Sequence, residues 1–222
     1  MVRLSGMEAV WLHTETSTTP AHAVAVLVME DSESLNHERL HKLAGSSLPH
    51  LARFRSRLVG KPFGLGQPVW AEIDGFNPSR QLRRVAVAPP GGPAEFADLI
   101  GKLNTRPLPR DMPLWQAWSI EGLEDGRWAL ALKMSLAVTG GLAGVPSVLE
   151  RLVTVNPDED PSAAGEQGFG KEPSILELVA DTAVELAANQ LNGALQLSRA
   201  TARAVANRLR GGDDGSPVPR TV

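Results

Sequence analysis

Apolar residues recur along this chain in two rhythms, one of period two and one of period three to four, and their alternation predicts a mixed fold. Met7, Val10 and Trp11 form a first helical stripe. Ser5 is placed to cap it, and Glu8 completes a capping box that satisfies the amide donors left free at a helix start. Beyond the hydroxyl-rich stretch Thr14 to Pro20, the unbroken apolar run Ala23 to Met29 has strand length and is predicted to be buried on both faces, with His22 at its mouth. Asn36 caps a predicted helix through Leu40, Leu43 and Ala44, which Ser46, Ser47 and Pro49 interrupt. From Phe54 to Ile73 arginines alternate with apolar residues around Gly60, Gly64 and Gly66. Short strands joined by tight turns follow from that pattern, one of them anchored by Trp70.

Leu82 to Ala88 reads as another strand, and the Pro89 to Pro93 break precedes a helix over Ala94 to Leu103 whose stripe is Phe96, Leu99, Ile100 and Leu103. Leu114 to Ile120 and Trp128 to Met134 flank Glu124-Asp125-Gly126-Arg127 and predict a hairpin. A helix carrying Val145, Val148, Leu149 and Leu152 comes next, with Pro146 confining its regular part to the far side of that residue. The pattern thus predicts a globular part over residues 1–157, a polar linker over 158–173, a long amphipathic helix over 174–210 and a flexible tail over 211–222. Gly193 and Ser198 weaken that helix and its apolar seam.

Composition sharpens the picture by exclusion. With 22 basic and 25 acidic residues mixed along 222 positions and a net charge of -3, no broad basic footprint for nucleic acid exists. The absence of cysteine excludes disulfides, thiolate metal ligands and a cysteine nucleophile, and fits a cytoplasmic setting. Met1 to Glu8 holds no apolar core of signal-peptide length, and no apolar run reaches the roughly 18 residues that span a bilayer. The expectation is therefore a cytoplasmic chain without a transmembrane segment, compatible with peripheral attachment to a membrane or lipid droplet.

Candidate chemistry is sparse. Among His13, His22, His37, His41 and His50, only His37 and His41 have helical ligand spacing, with Glu38 following His37 in a His-Glu-x-x-His pattern; no third ligand is evident, so the expectation is no metal. His22 can be read as a base or as a hydrogen-bonded packing residue. There is no Gly-x-Ser-x-Gly nucleophile elbow and no phosphate-binding Gly-x-x-x-x-Gly-Lys-Ser/Thr loop. Arg83 and Arg84 are readable as contacts to a phosphorylated group or as a solvated strand edge.

An ordered series of short patterns is more informative. Ala9-Val10-Trp11-Leu12-His13 and Thr18-Thr19-Pro20 come first, followed by Phe54-Arg55-Ser56-Arg57-Leu58, Pro62-Phe63-Gly64-Leu65-Gly66 and Pro68-Val69-Trp70. Leu82-Arg83-Arg84-Val85 precedes Pro90-Gly91-Gly92; Arg106-Pro107-Leu108 leads to Pro113-Leu114-Trp115, then Ile120-Glu121-Gly122-Leu123 and Lys133-Met134. In this order, from about Leu4 to Asp158, they resemble the amino-terminal half of the wax-ester synthase/diacylglycerol acyltransferase family. The resemblance implies a mixed α/β (α+β) fold, half of a chloramphenicol-acetyltransferase and condensation-domain architecture, with the active site in the channel between two halves and with the long helix following.

In that family the strand matching Trp128 to Met134 leads into His-His-x-x-x-Asp-Gly, whose second histidine serves as general base toward an acceptor hydroxyl attacking an acyl-CoA thioester and whose aspartate organises the loop. Here Ser135 stands for the first histidine, Leu136 for the second and Gly140 for the aspartate, and only Gly141 is kept. The resemblance implies no prosthetic group, acyl-CoA and neutral lipid as ligands, and Pro113, Leu114, Trp115 and Trp118 as a candidate acyl-channel lining, with burial in the core as the competing reading. It also implies a complementary carboxy-terminal half, or self-association through residues 174–210, as partner. Three functions follow as expectations: an O-acyltransferase weak or inactive alone, a non-catalytic acyl-lipid-binding subunit, and a truncated product without independent role.

Overall fold

The structure is a computed structural model, and it describes residues 2–16, 18–30, 37–40, 51–154, 169–188, 190 and 203. Two units separate: residues 1–61 with 67–173, and residues 62–66 with 174–222. The first contains strands β1 (Val2–Arg3), β2 (His22–Met29), β3 (Ser56–Val59), β4 (Val69–Glu72), β5 (Leu82–Ala86), β6 (Trp115–Glu121) and β7 (Trp128–Ser135). Its helices are α1 (Gly6–Thr14), α2 (Pro93–Thr105), α3 (Leu136–Thr139) and α4 (Val145–Thr154).

The hairpin β6–β7 forms as its pattern predicts and occupies the middle of a four-stranded sheet ordered β2-β7-β6-β5. Its register pairs Trp115 with Met134 and Trp118 with Ala131, so alternate side chains go to opposite faces. Trp115, Ala117, Leu132 and Met134 enter one apolar cluster with Leu58 and Trp70 of the smaller sheet, ordered β1-β4-β3. Trp118, Ile120, Ala129 and Ala131 enter a second cluster under α2, against Phe96, Leu99, Ile100 and Leu103, the stripe read from the sequence. Each of the larger aliphatic side chains so buried stabilises the fold by about 1.5–3 kcal/mol relative to exposure. β5 runs parallel to β6, which requires a crossover; α2 supplies it.

Some expectations change. β2 is an edge strand, so Val26, Leu27 and Val28 are exposed instead of buried on both faces. Apolar content marked the strand, but its place at the edge depends on neighbour order, which a local run does not encode. Pro146 lies inside the first turn of α4, where the missing amide hydrogen costs nothing. Residues 169–173, the end of the segment read as linker, belong to the first unit: Phe169 stacks on Trp70 with ring centroids 6.1 Å apart, and Arg57 pairs with Glu172 at 2.5 Å. The second unit contains a helix over 175–188 that Ser174 and Glu177 cap reciprocally. Most of the predicted helix over 174–210, and the tail over 211–222, lie outside the described residues, as do residues 155–168 and 41–50.

Candidate active site

Strand β7 delivers Ser135 to Gly141 as one tight turn. Ser135 ends the strand opposite His22 and caps α3, its hydroxyl accepting from the Ala137 amide at 3.2 Å. The Leu136 amide donates to Ala21 O at 2.9 Å, which fixes the turn to the start of β2. Gly140 closes α3 in the left-handed region at φ 71°, and Gly141 follows at φ 107°, ψ 178°, a conformation almost confined to glycine. The Thr139 hydroxyl donates to Gly141 O at 2.8 Å, and a β-carbon added to Gly141 would lie 3.4 Å from the Trp11 indole. That distance is ordinary contact, so it is the positive φ that favours glycine at this position.

The backbone of the turn is thus built and sealed, while its side chains offer no imidazole and no carboxylate. Ser135 and Leu136 are buried, and a hydroxyl is a very poor base near neutral pH. Beside the turn opens a cavity of about 330 Å³, lined by Glu8, Arg53 and Phe54 on one side and Val138, Thr139 and Ser147 on the other. Glu8 is only 4% exposed. Its carboxylate accepts from the Ser5 amide at 2.7 Å and pairs with Arg53, whose guanidinium also reaches Ala137 O at 3.5 Å. The ion pair with Arg53 therefore neutralises a capping carboxylate that burial would otherwise make costly.

His22 and Lys133 meet behind the turn. The Lys133 ammonium, 1% exposed, donates to the carbonyls of Leu103 at 2.8 Å, Asn104 at 3.4 Å and Arg106, capping the carboxyl end of α2. Burial pushes its pKa down to about 8. His22 Nε2 lies 2.7 Å from Asn104 O and 3.0 Å from Asn104 Oδ1. Desolvation first, and the Lys133 cation second, hold its pKa below the ordinary histidine value, so the imidazole is neutral at neutral pH. Of the two readings of His22, the hydrogen-bonded packing residue is the one its contacts describe.

Sequence reading gave Lys133 and Arg53 no role. A lysine inside the apolar strand Trp128 to Met134 was the available signal, because a buried cation needs partners. Pro113, Leu114, Trp115 and Trp118 are all buried, and they are not gathered at one surface: Trp115 donates from Nε1 to Phe54 O at 2.8 Å in the first cluster, whereas Trp118 faces α2 in the second. None of them lines the cavity beside the turn. His37 bonds Ser119 Oγ at 2.5 Å, and His41 lies outside the described residues. Arg84 pairs with Glu121 at 2.7 Å on the strand edge. Among the described residues, no three His, Cys, Asp or Glu side chains group as metal ligands.

The fold is shared with two solved structures. One is a wax ester synthase/diacylglycerol acyltransferase from Marinobacter aquaeolei VT8, with TM-score 0.58 and 23% identity, covering 68% of this chain and 36% of that one. The other is a condensation domain of the enacyloxin polyketide synthase, with TM-score 0.50 and 13% identity, covering 72% and 32%. The architecture is therefore half of the chloramphenicol-acetyltransferase and condensation-domain type.

Sequence relationships are narrower. Residues 4–221 match the wax ester synthase/diacylglycerol acyltransferase catalytic domain, and the chain belongs to that family. Two Mycobacterium tuberculosis proteins whose names place them among the diacylglycerol O-acyltransferases are 33% identical over 203 residues and 36% identical over 162. Those alignments cover 83% and 71% of this chain. The chain spans 40% and 32% of their lengths.

Proposed function

We propose that this chain forms the amino-terminal side of an O-acyltransferase site for acyl-CoA and either diacylglycerol or a long-chain alcohol, and that by itself it binds acyl lipid with little or no turnover. One observation carries the reading. The turn Ser135 to Gly141 is held by the Thr139 hydroxyl and by Ala21 O and is bordered by Trp11, while Ser135, Leu136 and Gly140 supply nothing that accepts a proton at neutral pH. General-base catalysis contributes about 100-fold to 10,000-fold, so its loss cripples acyl transfer without removing binding.

The reaction class comes from family membership, and the low activity from the chemistry of the turn. A complementary carboxy-terminal half, or a second copy engaging residues 174–210, would be the natural partner. No prosthetic group enters the proposed chemistry. Among the described residues no helix is long and apolar enough to cross a membrane, and the proposed setting is the cytoplasm with peripheral contact to lipid. The test is incubation of the purified chain with long-chain acyl-CoA and diacylglycerol or a long-chain alcohol, following product lipid and free CoA, alongside equilibrium binding of the acyl-CoA. Binding with negligible product is expected; vigorous turnover would overturn the claim that the base is lost.

A further inference from the structure

The segment Pro62-Phe63-Gly64-Leu65-Gly66 was noted in the sequence for its order and its glycines, and the site described above does not use it. Between β3 and β4 it makes a tight turn in which the Leu65 amide donates to Pro62 O at 3.2 Å. Phe63 sits in the left-handed region at φ 59°, ψ 13°, where an aromatic residue is a conformational outlier, and Gly64 and Gly66 also have positive φ. The result is outward display: Phe63 is 94% exposed, and Leu65 is exposed beside it. Strained backbone that presents an apolar ring to water is disfavoured twice over in the isolated chain. In the same unit, Ile175 and Leu176 of the helix over 175–188 are also left exposed.

We infer that this turn is a lipid-insertion element, with Phe63 and Leu65 entering the hydrocarbon of a zwitterionic or neutral lipid surface. A protruding ring needs a pocket on any protein partner but none in fluid hydrocarbon. Residues 62–68 contain no Lys, Arg, Asp or Glu, so inserting this segment desolvates no charge of its own and it offers none to an anionic headgroup or a charged peptide. The use of such an element rests on the acyl-lipid reading above, because diacylglycerol and long-chain alcohols are held in lipid phases. Its existence does not depend on that reading.

The test is flotation of the whole chain, as wild type and as Phe63→Gly, with phosphatidylcholine vesicles with and without diacylglycerol. Glycine suits φ 59°, so the variant keeps or gains thermal stability while losing the ring. About tenfold weaker partitioning is expected, from burial of one aromatic side chain. Wild-type partitioning should be unaffected by added phosphatidylserine or by salt. Equal flotation of the two proteins, absence of wild-type flotation, or binding that requires anionic lipid would each overturn the inference. So would Phe63-dependent self-association without vesicle binding, which would assign the turn to a second copy. Binding of a water-soluble short-chain acyl-CoA separates the two readings. If it persists without flotation, only the insertion element fails; Phe63-dependent flotation without it leaves the insertion element standing and sinks the acyl-lipid reading.

Discussion

The Trp11 indole faces Gly141, where an added β-carbon would stand in ordinary contact 3.4 Å from Nε1. Helix α1 thereby braces the turn that β7 delivers. Gly141→Ala forces a side chain into φ 107°, ψ 178°, while its methyl would only touch the ring. We predict a loss of about 1–3 kcal/mol of unfolding free energy, measured by urea titration. Trp11→Ala leaves the backbone demand in place, so Gly141→Ala should cost nearly as much in that background as in the wild type. Unchanged urea midpoints in Gly141→Ala would show that the turn does not need this geometry.

His22 gives a prediction for the acid side. Its folded pKa lies below the ordinary 6.5, first because burial disfavours the imidazolium and second because of the Lys133 cation, outweighing the bonds to Asn104 and the attraction of Glu15. The unfolded chain binds that proton more readily. The contribution of His22 is therefore fully present above pH 6.5 and is lost as pH falls through the folded value. His22→Gln keeps a donor for Asn104 without titrating. The urea midpoint of the wild type should fall relative to this variant on acidification, and parallel pH curves would contradict it.

What was legible in the sequence was local. Ser5 and Glu8 announce their capping box at three-residue spacing, the stripe from Phe96 to Leu103 announces the buried face of α2, and two apolar runs around Glu124 to Arg127 announce the hairpin. Relationships that depend on the sheet were not legible. Arg53 meets Glu8 from 45 positions away, and Lys133 finds its carbonyls at Leu103, Asn104 and Arg106 only because α2 crosses over the sheet. The turn after β7 could be located in the sequence, since the strand preceding Ser135 has a strong pattern. The cavity beside it could not, because Glu8, Arg53, Thr139 and Ser147 come from separate segments.

Lys133 titrates on the alkaline side. Burial lowers its pKa from 10.5 to about 8, so the folded chain gives up this proton before the unfolded chain does. The stability it contributes is fully present above pH 10.5 and is lost as pH falls through about 8. Lys133→Met leaves the carbonyls of Leu103, Asn104 and Arg106 without this donor, at a cost of about 1–3 kcal/mol. The gap between wild type and variant in urea should therefore widen from neutral pH to above 10.5. A gap that stays constant across that range would mean that the ammonium is well solvated in the folded chain.

Restoring the motif tests whether the turn alone limits the chemistry. At Gly140 a β-carbon meets nothing within 4 Å, and aspartate tolerates φ 71° better than most residues, so Gly140→Asp fits. Ser135→His and Leu136→His are harder, since both positions are buried and Ser135 caps α3. With all three changes the turn would carry a proton acceptor again. On the proposed reading, orienting acyl-CoA against an acceptor hydroxyl still requires walls on both sides of a channel, and the chain spans only 40% of the length of a matched relative. We therefore predict that the triple variant remains far below a vigorous acyltransferase when assayed by product lipid and free CoA. Adding a separately expressed carboxy-terminal half of a family member should raise its turnover more than that of the unaltered chain, because only the variant offers a base for the completed channel to use. Strong activity of the triple variant alone would show that one side of the channel is enough.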